Sequence, residues 1–151
     1  MIKTVIPNSE LDLEQRTIIT VGYAPGELLP PYNNGIIQED AEKILRYIEG
    51  KDVIKRKTAL FLREIKQKFQ QIPAVVEIVG CVTEACVCTT ADAFILLNSF
   101  VLINPELVAT FKPDNSFEFN KNYLINDLLT PAYQKRECVN HEHGLLFYRT
   151  K

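Results

Sequence analysis

The sequence lacks the features that accompany a membrane or a nucleic acid as partner. No apolar stretch reaches the ~20 residues needed to cross a bilayer, and residues 1–4 contain no apolar signal-peptide region. Its 17 basic and 19 acidic residues give a net charge of −2, so no excess of positive charge is available for nucleic acid or an acidic membrane surface. We therefore expect a cytoplasmic protein with neither partner.

Histidine and cysteine, the usual ligands of structural zinc, are also scarce. There are two histidines and four cysteines, and three of the cysteines lie within residues 81–88, which is no spread-out disulfide framework. The fourth, Cys138, precedes His141 and His143 in a segment that we interpret as a polar loop before the last strand. Neither cluster has the paired spacing of common zinc sites. We expect reduced thiols, no metal and no cofactor.

What is present is typical of a small globular domain. The chain has 151 residues, of which 46% are apolar, enough for one core. Periodicity predicts strands over 17–21, 52–54, 74–79, 100–103 and 145–148, and helices over 39–49, 58–69, 85–98 and 122–129. Alternating strands and helices predict a single three-layer α/β domain over 1–151, a parallel sheet of about five strands with helices on both faces. Residues 1–16 would be an N-terminal extension.

One segment has the pattern of a chemical site. An apolar run ends at Gly80, a short polar turn follows, and a helix is predicted to begin near Ala85 with Cys86 at its start. The first amides of a helix lack partners within it, and they favour negative charge. A thiol there loses its proton more readily, and the amides can hold an oxyanion.

The residues around this segment resemble a known family. Residues 80–91 read Gly-x-x-Thr-Glu-x-Cys-Val-x-x-Thr-Ala, and residues 101–110 read Val-x-Ile-x-x-Glu-Leu-Val-Ala-Thr. Residues 52–55 read Asp-Val-Ile-Lys, with Phe61 six positions beyond the lysine. Together they resemble the cysteine signature, the following strand and the lysine strand of the isochorismatase-like hydrolases, the superfamily that includes nicotinamidases.

This resemblance implies a catalytic arrangement. Cys86 would be the nucleophile, and Lys55 the lysine that positions substrate and stabilises charge. The peptide bond before Thr83 would be cis and would direct backbone amides at the oxyanion. The positioning residues would then be Val82, Thr83, Glu84 and Ala85. The resemblance also implies a small-molecule substrate and a homo-oligomer, in which the apolar residues 94–102 would bury an interface or simply the core.

The chain departs from the family pattern at the end of the first central strand. The family aspartate, its proton acceptor, should stand there, but Gly22 and Tyr23 follow the strand. Asn98 also replaces the glycine that commonly ends the helix after the cysteine. Two functions stay open: a cysteine hydrolase acting through Cys86 on a small amide-type or related substrate, and a catalytically degenerate relative serving as a binding or assembly subunit. A carboxylate within reach of Cys86 would favour the hydrolase, and the candidates are Asp12, Glu27, Asp40 and Asp52.

Overall fold

The protein is an α/β fold built on one sheet. The computed structural model describes residues 2–3, 11–22, 36–111, 116–131 and 133–150. The strands are β1 (Ile2–Lys3), β2 (Thr17–Val21), β3 (Val53–Lys55), β4 (Val75–Cys81), β5 (Phe100–Ile103), β6 (Val108–Ala109), β7 (Arg136–His141) and β8 (Gly144–Arg149). The helices are α1 (Gln38–Ile48), α2 (Leu62–Lys68), α3 (Cys88–Leu96) and α4 (Ser116–Leu129), with a 3-10 turn at Leu13–Gln15 and a π turn at Thr83–Val87.

The sheet is mixed. Its strand order is β1-β7-β8-β5-β4-β2-β3, and β6 pairs with the end of β4 outside this path. The pairs β2–β3, β2–β4, β4–β5, β4–β6 and β1–β7 are parallel, whereas β8 is antiparallel to both β5 and β7. The prediction of a purely parallel sheet of about five strands is therefore wrong, because the hairpin β7–β8 and the short β1 extend it on one side.

Helices cover both faces of the sheet. Alternate residues of a strand point to opposite faces, and in β4 Val79 packs in one apolar cluster with Ile44 of α1 while Ile78 packs in another with Ile65 of α2 and Phe94 of α3. Leu124 of α4 belongs to the second cluster. The segment 94–102 supplies buried core residues of β5 and α3 rather than an exposed apolar face.

A buried ion pair ties the segment before β2 to the α1 face. Glu77 of β4 is 1% exposed. Its carboxylate accepts hydrogen bonds from Arg16 Nε at 2.7 Å and from the Tyr47 hydroxyl at 2.8 Å. Arg16 also donates to the Leu13 carbonyl at 2.9 Å, so the 3-10 turn is fixed to the sheet.

Several elements differ from their predicted form. Residues 138–143 are predicted as a polar loop, but those up to His141 belong to strand β7, where pairing with β8 and β1 buries Cys138 and Val139 completely. Helix α4 begins six residues before its predicted start at 122. Helix α2 begins at Leu62 and buries Ile65, whereas Phe61, inside the predicted helix 58–69, precedes it and is 56% exposed.

Among the helices in the described part of the chain, none combines the length and the apolar character that crossing a bilayer would require.

Candidate functional site

Cys86 lies just after a strand-to-helix bend. β4 ends at Cys81, a single residue in extended conformation follows, and the π turn Thr83–Val87 continues directly into α3. Cys86 is therefore in the first turn of a helical run, at the edge where the parallel strands end, as predicted. Its side chain is half-buried and packs against the apolar cluster beneath α2 and α3. The non-proline cis peptide joins Cys81 to Val82, one residue earlier than the predicted position before Thr83.

The backbone of the π turn is partly committed to its own hydrogen bonds. The Val82 carbonyl accepts from the amides of Ala85 and Val87, both at 3.1 Å. The Ala85 amide, which the resemblance assigns to an oxyanion, therefore already donates to a backbone carbonyl in this conformation.

The side chains of Thr83 and Glu84 join two segments that are distant in sequence. Thr83 is fully buried, and its hydroxyl lies 2.8 Å from Asn120 Oδ1 and 3.2 Å from the Ala109 carbonyl. Glu84 accepts a hydrogen bond from the Thr110 hydroxyl at 2.7 Å. The structure thus brings residues 80–91 and 101–110, the two longer segments of the resemblance, into contact.

Asn120 of α4 completes this junction. It is 1% exposed, and its amide nitrogen donates to the carbonyls of Pro105 and Val108 at 3.0 and 2.9 Å. Sequence reasoning missed Asn120, because a single asparagine in a polar helical segment carries no signal that distinguishes a buried clamp from a solvated side chain.

The end of β2, where the resemblance places an aspartate, has no room for a side chain. Gly22 has φ +67°, and a Cβ there would overlap the Cys81 carbonyl oxygen and lie 2.9 Å from its carbon. Gly80, with φ +119°, meets the backbone of Val21 in the same way, 2.9 Å from its nitrogen. β2 and β4 therefore touch backbone to backbone at their carboxyl ends, which only glycine permits.

None of the described carboxylates named as candidates is bonded to Cys86. Asp12 caps the 3-10 turn before β2, and Asp52 precedes β3, so both lie at the opposite end of the strands from Cys86. Asp40 is in the first turn of α1. Within the described ranges Cys86 has no hydrogen-bond or ion-pair partner. Glu27, the remaining candidate, lies outside the described residues.

Lys55 and Cys86 lie at the same edge of the sheet but on different faces. Lys55 ends β3 and is aligned with Thr20 of β2. Its alternate neighbour Val53 packs on the α1 cluster, whereas Cys86 packs on the opposite one. Lys55 lines an open groove of about 500 Å³, whose other described walls are α1 and the turn after it. The described residues of this groove do not include Cys86.

The other cysteines are buried thiols. Burial, and then the Asp127 carboxylate beside it, raise the pKa of Cys88 above its ordinary value. Burial raises the pKa of Cys138 to about 12. None of the four cysteines forms a disulfide. The described residues contain no group of three or more histidine, cysteine or acidic side chains placed to hold a metal ion.

Comparison with known proteins gives no relative: no protein-family model, no curated protein and no solved structure matches this chain.

Proposed function

We propose that this chain is a catalytically degenerate isochorismatase-like domain that serves as a binding or assembly subunit. The single observation that supports the proposal is that Gly22, directly after β2, lies so close to the Cys81 backbone that no side chain fits there. A side chain is excluded at the position where the resemblance requires the proton acceptor.

The chemistry of a cysteine nucleophile supports this interpretation. A thiol becomes an effective nucleophile through an adjacent base or a field that stabilises the thiolate. Cys86 has neither a base nor an ion-pair partner among the described residues, and Lys55 lies on the other face of the sheet. The bend retains the position of the nucleophile without the groups that activate it.

The side-chain contacts around the π turn have a structural role that does not require a reactive thiol. Buried Thr83 and Asn120 hold the π turn to the loop after β5, and Thr110 binds Glu84. These contacts fix the fold whether or not Cys86 reacts. As in the family it resembles, we propose that the chain assembles with copies of itself, which sedimentation velocity over a range of concentrations would test.

Alkylation of the native protein with iodoacetamide, followed by mass mapping of each cysteine, tests the proposal. We expect Cys86 to react no faster at neutral pH than N-acetylcysteine in the same buffer, and Cys88 and Cys138 to react only after unfolding. The Cys86→Ser variant is the matched control that identifies the labelled site. Selective labelling of Cys86 well above the rate of N-acetylcysteine would overturn the proposal.

That opposite result would favour the second candidate, a cysteine hydrolase of small amide-type substrates. One observation favours it: Cys86 is half-buried rather than sealed, in the first helical turn after a central parallel strand. Ligands of open parallel sheets bind at this edge. A hydrolase would also release ammonia from a simple aromatic amide such as nicotinamide, and Cys86→Ser would abolish that release.

A further inference from the structure

A second cavity lies at the carboxyl edge of the sheet, away from Cys86. β5 and β7 are both antiparallel to β8, so they end at the same edge. The loop after β5, the β7–β8 turn and the first turns of α4 line an open cavity of about 210 Å³. This is below the roughly 300–1,000 Å³ of drug-sized sites, so the cavity suits a ligand of amino-acid size. Neither Cys86 nor Lys55 is among its described lining residues.

The walls of this cavity offer an apolar surface beside two groups that favour an anion. Phe117 is 42% exposed, and Leu145 lies at the base. Lys121 is half-buried and has no hydrogen-bond or ion-pair partner in the part of the chain that the structure describes. The Nδ1 atom of His141 accepts the His143 amide at 3.1 Å, so the neutral imidazole carries its proton on Nε2 as a further donor.

The rim of the cavity carries the opposite charge. Glu106 and Glu142 both line it and are exposed. The backbone amide of Glu106 donates to Asn104 Oδ1 at 2.9 Å, which fixes its loop. A purely anionic ligand would meet repulsion from the two glutamates, and a purely cationic one would meet repulsion from Lys121. A ligand with both charges matches both groups.

We propose that this cavity binds a small zwitterion of the amino-acid class, with its carboxylate toward Lys121 and His141, its ammonium toward Glu106 and Glu142, and an aromatic or apolar side chain against Phe117. The proposal does not depend on Cys86, so it stands whether or not that thiol is catalytic.

Titration of the ¹⁵N-labelled full chain, followed by amide chemical shifts, tests this with three probes that share one ring. Free phenylalanine carries both charges, phenylacetate only the carboxylate and phenethylamine only the ammonium. We expect shift changes confined to residues 104–106, 117–121 and 140–145. We also expect a Kd for phenylalanine about two- to fivefold lower than for either analogue, the factor that one partly exposed ion pair supplies.

Matched variants assign the charges. Lys121→Gln is expected to remove the preference for phenylalanine over phenethylamine, and Glu106→Gln the preference over phenylacetate. Lys135→Gln, an exposed lysine outside the cavity, and Cys86→Ser should leave all three Kd values unchanged. Equal binding of the three probes, shifts that map elsewhere, or no shifts at the highest soluble probe concentration would overturn the proposal.

Discussion

The close contact between the ends of β2 and β4 predicts that a methyl group added at Gly22 lowers the free energy of unfolding. Gly22→Ala introduces a Cβ that overlaps the Cys81 carbonyl oxygen. The obstacle is backbone, so no side-chain rotation relieves it and the two strands must separate. Gly50→Ala is a matched control, because Gly50 has nearly the same backbone conformation, φ +75° against +67°, and nothing within 4 Å of its Cβ position.

Both variants place an alanine in a left-handed backbone conformation, but only Gly22→Ala also creates a steric overlap. A left-handed conformation costs an alanine about 1–2 kcal/mol relative to glycine, and this applies at both positions. Overpacking adds about 1–3 kcal/mol at Gly22 alone. We therefore expect a loss of about 2–5 kcal/mol in the free energy of unfolding for Gly22→Ala and about 1–2 kcal/mol for Gly50→Ala. Against a total of about 5–15 kcal/mol for a typical domain, Gly22→Ala removes a large fraction of the free energy of unfolding.

Urea unfolding followed by far-ultraviolet circular dichroism is the suitable assay, because the chain has no tryptophan to report by fluorescence. The shift in the unfolding midpoint gives the loss in free energy of unfolding, provided that the slope of this free energy against urea concentration is the same for all variants. Equal losses for the two variants would refute the reasoning. The end of β2 would then have room for a side chain, and the principal argument against an aspartate there would fail.

Three further predictions concern stability. Glu77→Gln leaves Arg16 without its carboxylate partner at a site where Glu77 is 1% exposed, so the free energy of unfolding should fall by about 3 kcal/mol or more. Arg16→Gln should destabilise the Glu77→Gln variant less than it destabilises the unchanged protein. Additive losses in this double-mutant cycle would show that the two residues are not coupled. Asn98 lies two residues after the end of α3 and has φ +71°, so Asn98→Ala should lower the free energy of unfolding by about 1 kcal/mol and Asn98→Gly should not. Equal melting temperatures for the two variants would contradict this. Burial, then a hydrogen bond to a neighbouring glutamate, raise the pKa of Tyr148 from 10 to about 12. The fold therefore favours the neutral phenol, and the stability it contributes is present below pH 10 and lost as pH rises toward 12. Tyr148→Phe should flatten the fall of melting temperature over this range, and an unchanged slope would exclude Tyr148 as its source.

The regular elements were predictable where the local pattern was strong. Strands 17–21 and 100–103 were predicted with their observed bounds, because runs of β-branched and apolar residues favour buried strands. β7 was not predictable, since Arg136 to His141 alternates poorly and contains four polar residues. It is a strand because β8 and β1 supply hydrogen-bonding partners on both sides.

The candidate site was predictable in part for the same reason. The apolar run to Gly80 and the helix after it placed Cys86 at a strand-to-helix bend, which the structure contains. The clamp through Asn120 and the separation of Lys55 from Cys86 depend on which faces two distant elements present to each other. The residues near each element in the sequence do not determine which of its faces contacts a distant element.

The sequence by itself determined the α/β class and the bend that holds Cys86, because backbone preference and hydrophobic periodicity act over a few neighbouring residues. Only the tertiary structure decided that Gly22 lies against Cys81 and that Lys55 faces α1. Those arrangements follow from strand register and from the contact of Gly22 with Cys81, which are 59 positions apart in the chain, and such contacts form only when the whole sheet has assembled.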